Sequence, residues 1–471
     1  MVAVPFPRSS APGRLAESGG RLINASVEML SDGRTKISGA AGIRAIIETT
    51  AHSHCRGMIE INGVVLAALD DRLYTLTRSG GAYIIRDIGA FAGSKTVYFA
   101  RNNKAPTPDI VAVTDSTAFV ISMTTGASSY PDADIGSPNS VTSFDGYFCF
   151  SYGNARMRTT GLNDTAINTL DTAFAESKPD GLLRVISIGR YLFAFGSQTI
   201  EAWQNNGNPV GFPFSKLETI PRGLASADAV AGHESEWSNT IVFAGNDNVV
   251  YRINGLVAEP VSTPSVQKAL ERLDDMSTLR AMVYAHEGHA VWALSAPDWT
   301  WCCDMTTGSW VERASYGSSR WRACASVKCF GKWVVGDADT GKFGVIDPDH
   351  HLEFGDPLVT RVVSATMSGF PVRAFPSRLV LDIMAGVGEA DGPDPIATNP
   401  HCAIAWSRDG GVSFGSPVRR EIGRQGHYAR VVSVNRLGMA SAKGIQIAVE
   451  ISDPVAFSLF GGELSVQPGA S

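Results

Sequence analysis

Hydrophobic and polar positions alternate along this chain in short runs, and the clearest set lies between residues 182 and 204. Leu182, Leu183, Val185, Ile186 and Ile188 form one β-rich run, and Gly189-Arg190 supplies a tight reversal. Tyr191, Leu192, Phe193, Ala194 and Phe195 form a second run, too short for a helix and too apolar for a surface loop. Gly196-Ser197 turns the chain again, and Thr199, Ile200, Ala202 and Trp203 start a third. Three short antiparallel strands within about 25 residues are most of one four-stranded propeller blade.

The same texture returns through most of the chain. Residues 55–89 predict four strands at 58–61, 64–69, 73–76 and 83–88, broken at Asn62-Gly63, Asp70-Asp71 and Gly80-Gly81. Further units are predicted at 97–122, around the run 147–150 after Asp145-Gly146, at 241–253, at 286–314 and at 333–346. Reversals at Gly146, Gly189, Asn239, Gly288 and Gly331 recur every 43 to 50 residues, the interval of a four-stranded blade. The expected fold class is therefore all-β: a six-bladed β-propeller over residues 51–354, with the last pair closing the ring.

Two regions depart from this pattern. Thr263 and Pro264, followed by Val266, Ala269, Leu270 and Leu273 at i, i+3, i+4 and i+7, predict a short capped helix between blades. Beyond residue 355, strands at 359–365, 377–384, 403–407, 431–434 and 444–451 predict a separate β-sandwich platform over residues 355–471, with an exposed loop at 386–400 and a disordered tail at 465–471. Residues 1–50 predict an arm and one strand at 21–30 that cannot form a core alone and joins the platform.

Composition narrows the function. A chain of 471 residues with 44% hydrophobic and 18% charged residues is a folded one, and its 48 glycines fit many reversals. A net charge of -6 argues against a dedicated nucleic-acid grip. No signal-peptide-like segment or membrane anchor is read, and seven cysteines without zinc-site spacing predict free thiols in a reducing compartment.

Candidate chemistry is sparse. His52, His54 and Cys55 lack the partners to complete a zinc site, and His286 and His289 are three apart around a glycine rather than four apart on a helix. Ser407, Asp409, Gly411 and Phe414 fit the S-x-D-x-G-x-x-[W/F] hairpin pattern of the Asp-box, in which the carboxylate ties the turn and the aromatic packs beneath it. That pattern stabilises and does not catalyse. Arg419, Arg420, Arg424, Arg430 and Arg436, with Lys443, form the only sustained basic run: a solvated hairpin face, or a subunit or phosphate contact suited to planar guanidinium groups. With no nucleophile elbow and no P-loop, neither catalysis, nor a metal, nor a cofactor is expected.

The block at 177–181 followed by Gly189 to Trp203 resembles the packaged-DNA stabilisation, or tail nozzle, proteins of short-tailed phages. Arg56-Gly57 and Leu73-Tyr74 in the first blade, the proline-led helix, the Asp409-Gly410 hairpin and a last strand after Ser452-Asp453-Pro454-Val455 follow in the same order. The resemblance implies a virion tail component, assembled in the host cytoplasm. Six copies would ring the tail below the portal and its adaptor, extend the DNA channel, retain the packaged genome and release it at ejection. It implies as partners the chain itself, the adaptor and portal, tail fibres or tailspikes, and double-stranded DNA held without sequence specificity. The rival reading is a carbohydrate-binding or glycan-degrading propeller, with Trp203, Trp292, Trp299, Trp301 and Trp321 available to stack on sugar rings.

Overall fold

Reversals set the architecture of the computed structural model, which describes residues 1–13, 18–49, 54–175, 178, 180–208 and 211–468. Four two-residue turns between inner strands place both central residues at positive φ: Asn62-Gly63 (50° and 80°), Asp145-Gly146 (49° and 86°), Glu287-Gly288 (46° and 85°) and Phe330-Gly331 (56° and 73°). Such turns match the right-handed twist of the strands they join, and a glycine at the second position removes the Cβ clash there. Each hairpin then continues into two further antiparallel strands.

Seven such units follow one another, spanning residues 55–90, 98–129, 140–174, 182–220, 230–260, 280–312 and 323–347. Their first strands pack side by side, and the strand Ala323–Cys329 meets Cys55–Ile61 to close the circuit. Six blades are expected from the sequence; the chain forms seven. The seventh has only three strands of its own, Ala323–Cys329, Lys332–Asp337 and Lys342–Asp347, and its outer strand is Gly42–Glu48 from the other end of the chain. Pairing runs antiparallel from Lys342 opposite Glu48 to Asp347 opposite Gly42. A boundary at residue 50 would leave that strand with the arm, whereas it is built into the last blade. A repeat count along the chain sees only an incomplete unit there, because the missing strand precedes the first blade.

The second region grows out of blade six. Ser309–Glu312 pairs in parallel with Arg21–Ile23, and that sheet continues through Thr360–Val363, Gln446–Ile451, His401–Ser407 and Val418–Glu421. A six-stranded sheet of Val2–Ala3, Ala25–Met29, Thr35–Gly39, Ala374–Ile383, Val432–Asn435 and Ser458–Pro468 lies against it. Leu22, Val362, Ile404 and Val449 of the first sheet share one apolar core with Val27, Leu379, Val434 and Leu464 of the second. Removing these side chains from water supplies the main drive for the two sheets to stack. Residues 465–468, expected to be disordered, are the end of an eleven-residue strand that pairs with Ala374–Ile383.

The helix Pro264–Glu271 forms as the apolar spacing predicts, burying Val266 and Leu270. Thr263 sits at its N-cap with extended backbone, but its side chain makes no capping bond. Among the described residues, no helix is long and apolar enough to cross a membrane.

Candidate functional site

Polar side chains from four blades converge where the inner strands meet. The carboxylate of Asp228 accepts hydrogen bonds from Thr96 Oγ1 and from Tyr98 OH, each at 2.6 Å, and Arg280 Nη2 donates to Thr96 Oγ1 at 2.6 Å. Arg184 lies over the Tyr98 ring at 4.6 Å and donates to the carbonyls of Ala227 and Val230. Burial, followed by the negative charge of Asp228, pushes the Tyr98 hydroxyl far above its ordinary pKa, so it stays a donor at any ordinary pH.

This network divides the space at the centre. On one side is a cavity of about 910 Å³ lined in part by Lys95, Asp115, Asp228, Arg280, Arg320 and Cys324. A smaller one of about 150 Å³ shares Thr96, Tyr98, Asp228 and Arg280 and reaches Arg184 and His233. Among the described residues, no group of three or more histidines, cysteines or carboxylates is placed to hold a metal ion. The sequence reading missed this centre, since Tyr98 and Asp228 are 130 positions apart, one opening a strand and the other in the turn ahead of Val230–Ala231.

The histidine candidates separate. His52 lies outside the described residues, and the Nδ1 of His54 is 3.2 Å from the carbonyl of Ala338. His286 and His289 flank the tight turn of blade six, with ring centres 5.6 Å apart. His289 Nδ1 is 2.7 Å from Asp304, and this hydrogen bond raises its pKa despite partial burial. His286 is lowered to about 4, by burial first and then by the charges of His289 and Arg313.

Ser407, Asp409, Gly411 and Phe414 form the turn between His401–Ser407 and Val418–Glu421. Ser407 Oγ donates to Asp409 at 2.6 Å and accepts from the Gly411 amide at 2.7 Å, while Asp409 accepts from the amides of Val412 and Ser413 at 3.0 Å. Desolvation raises the Asp409 pKa, but donors from Ser407, Ser413 and the backbone outweigh it and hold the carboxyl well below the usual range. Gly411 has φ +94°, and a Cβ there would lie 2.3 Å from Gln446 Oε1. Phe414 is half-buried under the Arg361 guanidinium, 5.7 Å from it.

The five arginines come to one edge, where Val418–Glu421 ends one sheet and Val432–Asn435 ends the other. Two of them have partners on this edge: Arg420 Nε donates to the carbonyl of Ser433 at 2.8 Å, and the exposed Arg430 pairs with Glu421. Arg419, Arg424 and Arg436 are exposed and make no ion pair among the described residues. Arg436 sits at φ +61°, and its amide donates to Ser377 at 2.8 Å. The tryptophans offer less to a sugar: Trp203, Trp292, Trp301 and Trp321 are all buried, and only Trp299 is half-exposed.

A family model described as Bacteriophage P22 Gp10, beta-propeller, matches residues 29–351. No curated protein matches the chain. Among solved structures, the WD40 β-propeller domain of Doa1 is 10% identical with a TM-score of 0.42, covering 65% of this chain and 96% of its own. The computationally designed Ika8 protein is 12% identical with a TM-score of 0.42, covering 64% and 99%.

Proposed function

We infer the function from one premise: this chain belongs to the phage stabilisation family described as Bacteriophage P22 Gp10, beta-propeller. The family supports a structural, non-enzymatic phage protein associated with the virion. We propose further that six copies form a nozzle ring below the portal and adaptor of a short-tailed phage, assembled in the host cytoplasm. The ring would extend the DNA channel, retain the packaged genome and let it pass at ejection, with fibres or tailspikes as neighbours. The observation that carries this reading is the family match across most of the β-propeller.

The polar network at the propeller centre bears on where the genome would run. Hydrogen bonds of 2.6 Å join Asp228 to Thr96 and Tyr98, so the propeller centre is spanned by side chains. A duplex whose major groove alone is about 12 Å wide does not fit through it. In this reading the lumen lies between copies, and each propeller flanks it. A net charge of -6 suits a wall that lets phosphate slide past. The two-sheet region would be the platform that meets the adaptor, and Arg419, Arg424 and Arg436 would make a contact to a neighbouring copy or the adaptor.

Electron microscopy of the purified chain mixed with its adaptor and portal tests this directly. A sixfold collar is the expected result. A chain that stays monomeric at micromolar concentration with both present would overturn it, as would depolymerisation of host polysaccharide by the chain alone.

A further inference from the structure

The seam where the last blade meets the first holds two thiols. Cys55 opens the inner strand of blade one and Cys324 is the second residue of the inner strand of blade seven. Both strands carry a register shift at this point, between Cys55 and Gly57 in one and between Ala323 and Ala325 in the other. The extra residue of a bulge is re-aimed out of the regular alternation, and in blade seven that residue is Cys324. Its Sγ donates to the carbonyl of Cys55 at 3.3 Å and lies 3.5 Å from the carbonyl of Gly336. Gly336 has no positive φ to explain it, yet a Cβ there would lie 2.5 Å from Cys55 Sγ. Both sulfurs thus crowd the same glycine, from two blades that are far apart in sequence.

We propose that Cys55 and Cys324 are an oxidation site, at which a small-molecule disulfide of the glutathione class links the two thiols and staples blade seven to blade one. The chemistry balances as thiol–disulfide exchange. The Cys324 thiolate attacks one sulfur of the small disulfide and expels one thiol; the Cys55 thiolate then attacks the Cys324 sulfur and expels the second. Two protein thiols lose two protons and two electrons, and the small disulfide is reduced to two thiols.

The order of attack follows from the surroundings. Cys324 lines both central cavities and is only partly buried, whereas Cys55 is 1% exposed. A contact between the two thiols, in which Cys55 donates to the Cys324 thiolate, lowers the Cys324 pKa against the burial that raises it, with help from the positive charges of Arg280 and Arg320, while the same contact and burial raise that of Cys55. The reachable thiol is therefore the better nucleophile, and the enclosed one resolves the mixed disulfide. The other five cysteines are buried, and the adjacent Cys302 and Cys303 point to opposite faces of one strand.

The test uses the full, reduced chain, exposed to oxidised glutathione, quenched with N-ethylmaleimide and mapped by mass spectrometry without reduction. We expect a linked peptide joining Cys55 to Cys324, a loss of two of seven free thiols, and an unfolding half-life in denaturant lengthened by about tenfold and restored by dithiothreitol. Cys324→Ala should lose none of its six remaining thiols under the same treatment. A stable glutathione adduct on Cys324 without linkage, a link between other cysteines, or no loss of thiol from the wild-type chain would each overturn the proposal. None of these outcomes depends on whether the chain assembles into a ring.

Discussion

Asp228, ahead of the fifth blade, holds Tyr98 of the second through a 2.6 Å hydrogen bond, with Thr96 held by the other carboxylate oxygen at the same distance. Blades that share no backbone pairing are thereby tied across the centre. Removing the acceptor leaves a buried hydroxyl without its partner, which costs more than the bond itself contributed. Asp228→Ala should destabilise the chain by about 1–3 kcal/mol in guanidinium unfolding. Asp228→Asn keeps one acceptor and should lose less.

The closing strand Gly42–Glu48 presents Ile43 inward, fully buried, where its backbone also meets Phe354 and Glu353. Ile43→Ala should cost about 2–5 kcal/mol, because the rigid blade cannot collapse into the space. Arg44 on the same strand pairs with Asp347 at 2.8 Å, but its side chain is 54% exposed. Arg44→Ala should stay within about 1 kcal/mol of wild type, measured in the same unfolding titration.

Histidines 286 and 289 give stability opposite dependences on pH. The folded pKa of His286 is about 4, below its free value of 6.5, so as pH falls between the two the unfolded chain takes up a proton that the folded chain refuses. Stability is lost over that window, by at most about 3 kcal/mol. His289 has a raised folded pKa, so its contribution is complete below the free value and is lost as pH rises through the folded one. Glu28, Glu287, Asp304 and Arg313 are the charged groups that act on the pair. His286→Phe should flatten the fall in melting temperature between pH 6.5 and 4 and leave the His289 dependence in place.

Along the arginine edge, the charge-reversed triple variant Arg419→Glu, Arg424→Glu, Arg436→Glu should unfold within about 0.5 kcal/mol of wild type for each position, since these side chains are exposed. Ring formation or adaptor capture, followed by sedimentation, should fail. Arg420→Ala should do the reverse: it loses the bond to Ser433, costs about 1 kcal/mol and still assembles.

Much of the propeller was legible because its turns announce themselves. Asn62-Gly63 and Asp145-Gly146 are residue pairs that tolerate positive φ, and they stand between runs of alternating apolar residues. The helix was legible from Pro264 and the spacing of Val266 and Leu270. The seventh blade was hidden because Gly42–Glu48 looks, in isolation, like the end of an arm, and its partner Lys342–Asp347 looks like half of a unit. The strand Ser458–Pro468 was obscured by Gly461-Gly462 in its middle, where the missing side chains remove the alternation. The joining of the arginines at one edge depended on two sheets ending together, and no local pattern records that.

The closing strand also sets an order of events during synthesis. Arg44 leaves the ribosome 303 residues ahead of its ion-pair partner Asp347. At about 5–20 residues per second it therefore waits roughly 15–60 s before that partner exists. Throughout that interval six blades can fold while the strand Gly42–Glu48 has no blade to join. Translation of about three-quarters of the molecule must be finished before this strand has a place, so a nascent chain halted short of residue 342 carries a propeller that cannot shut.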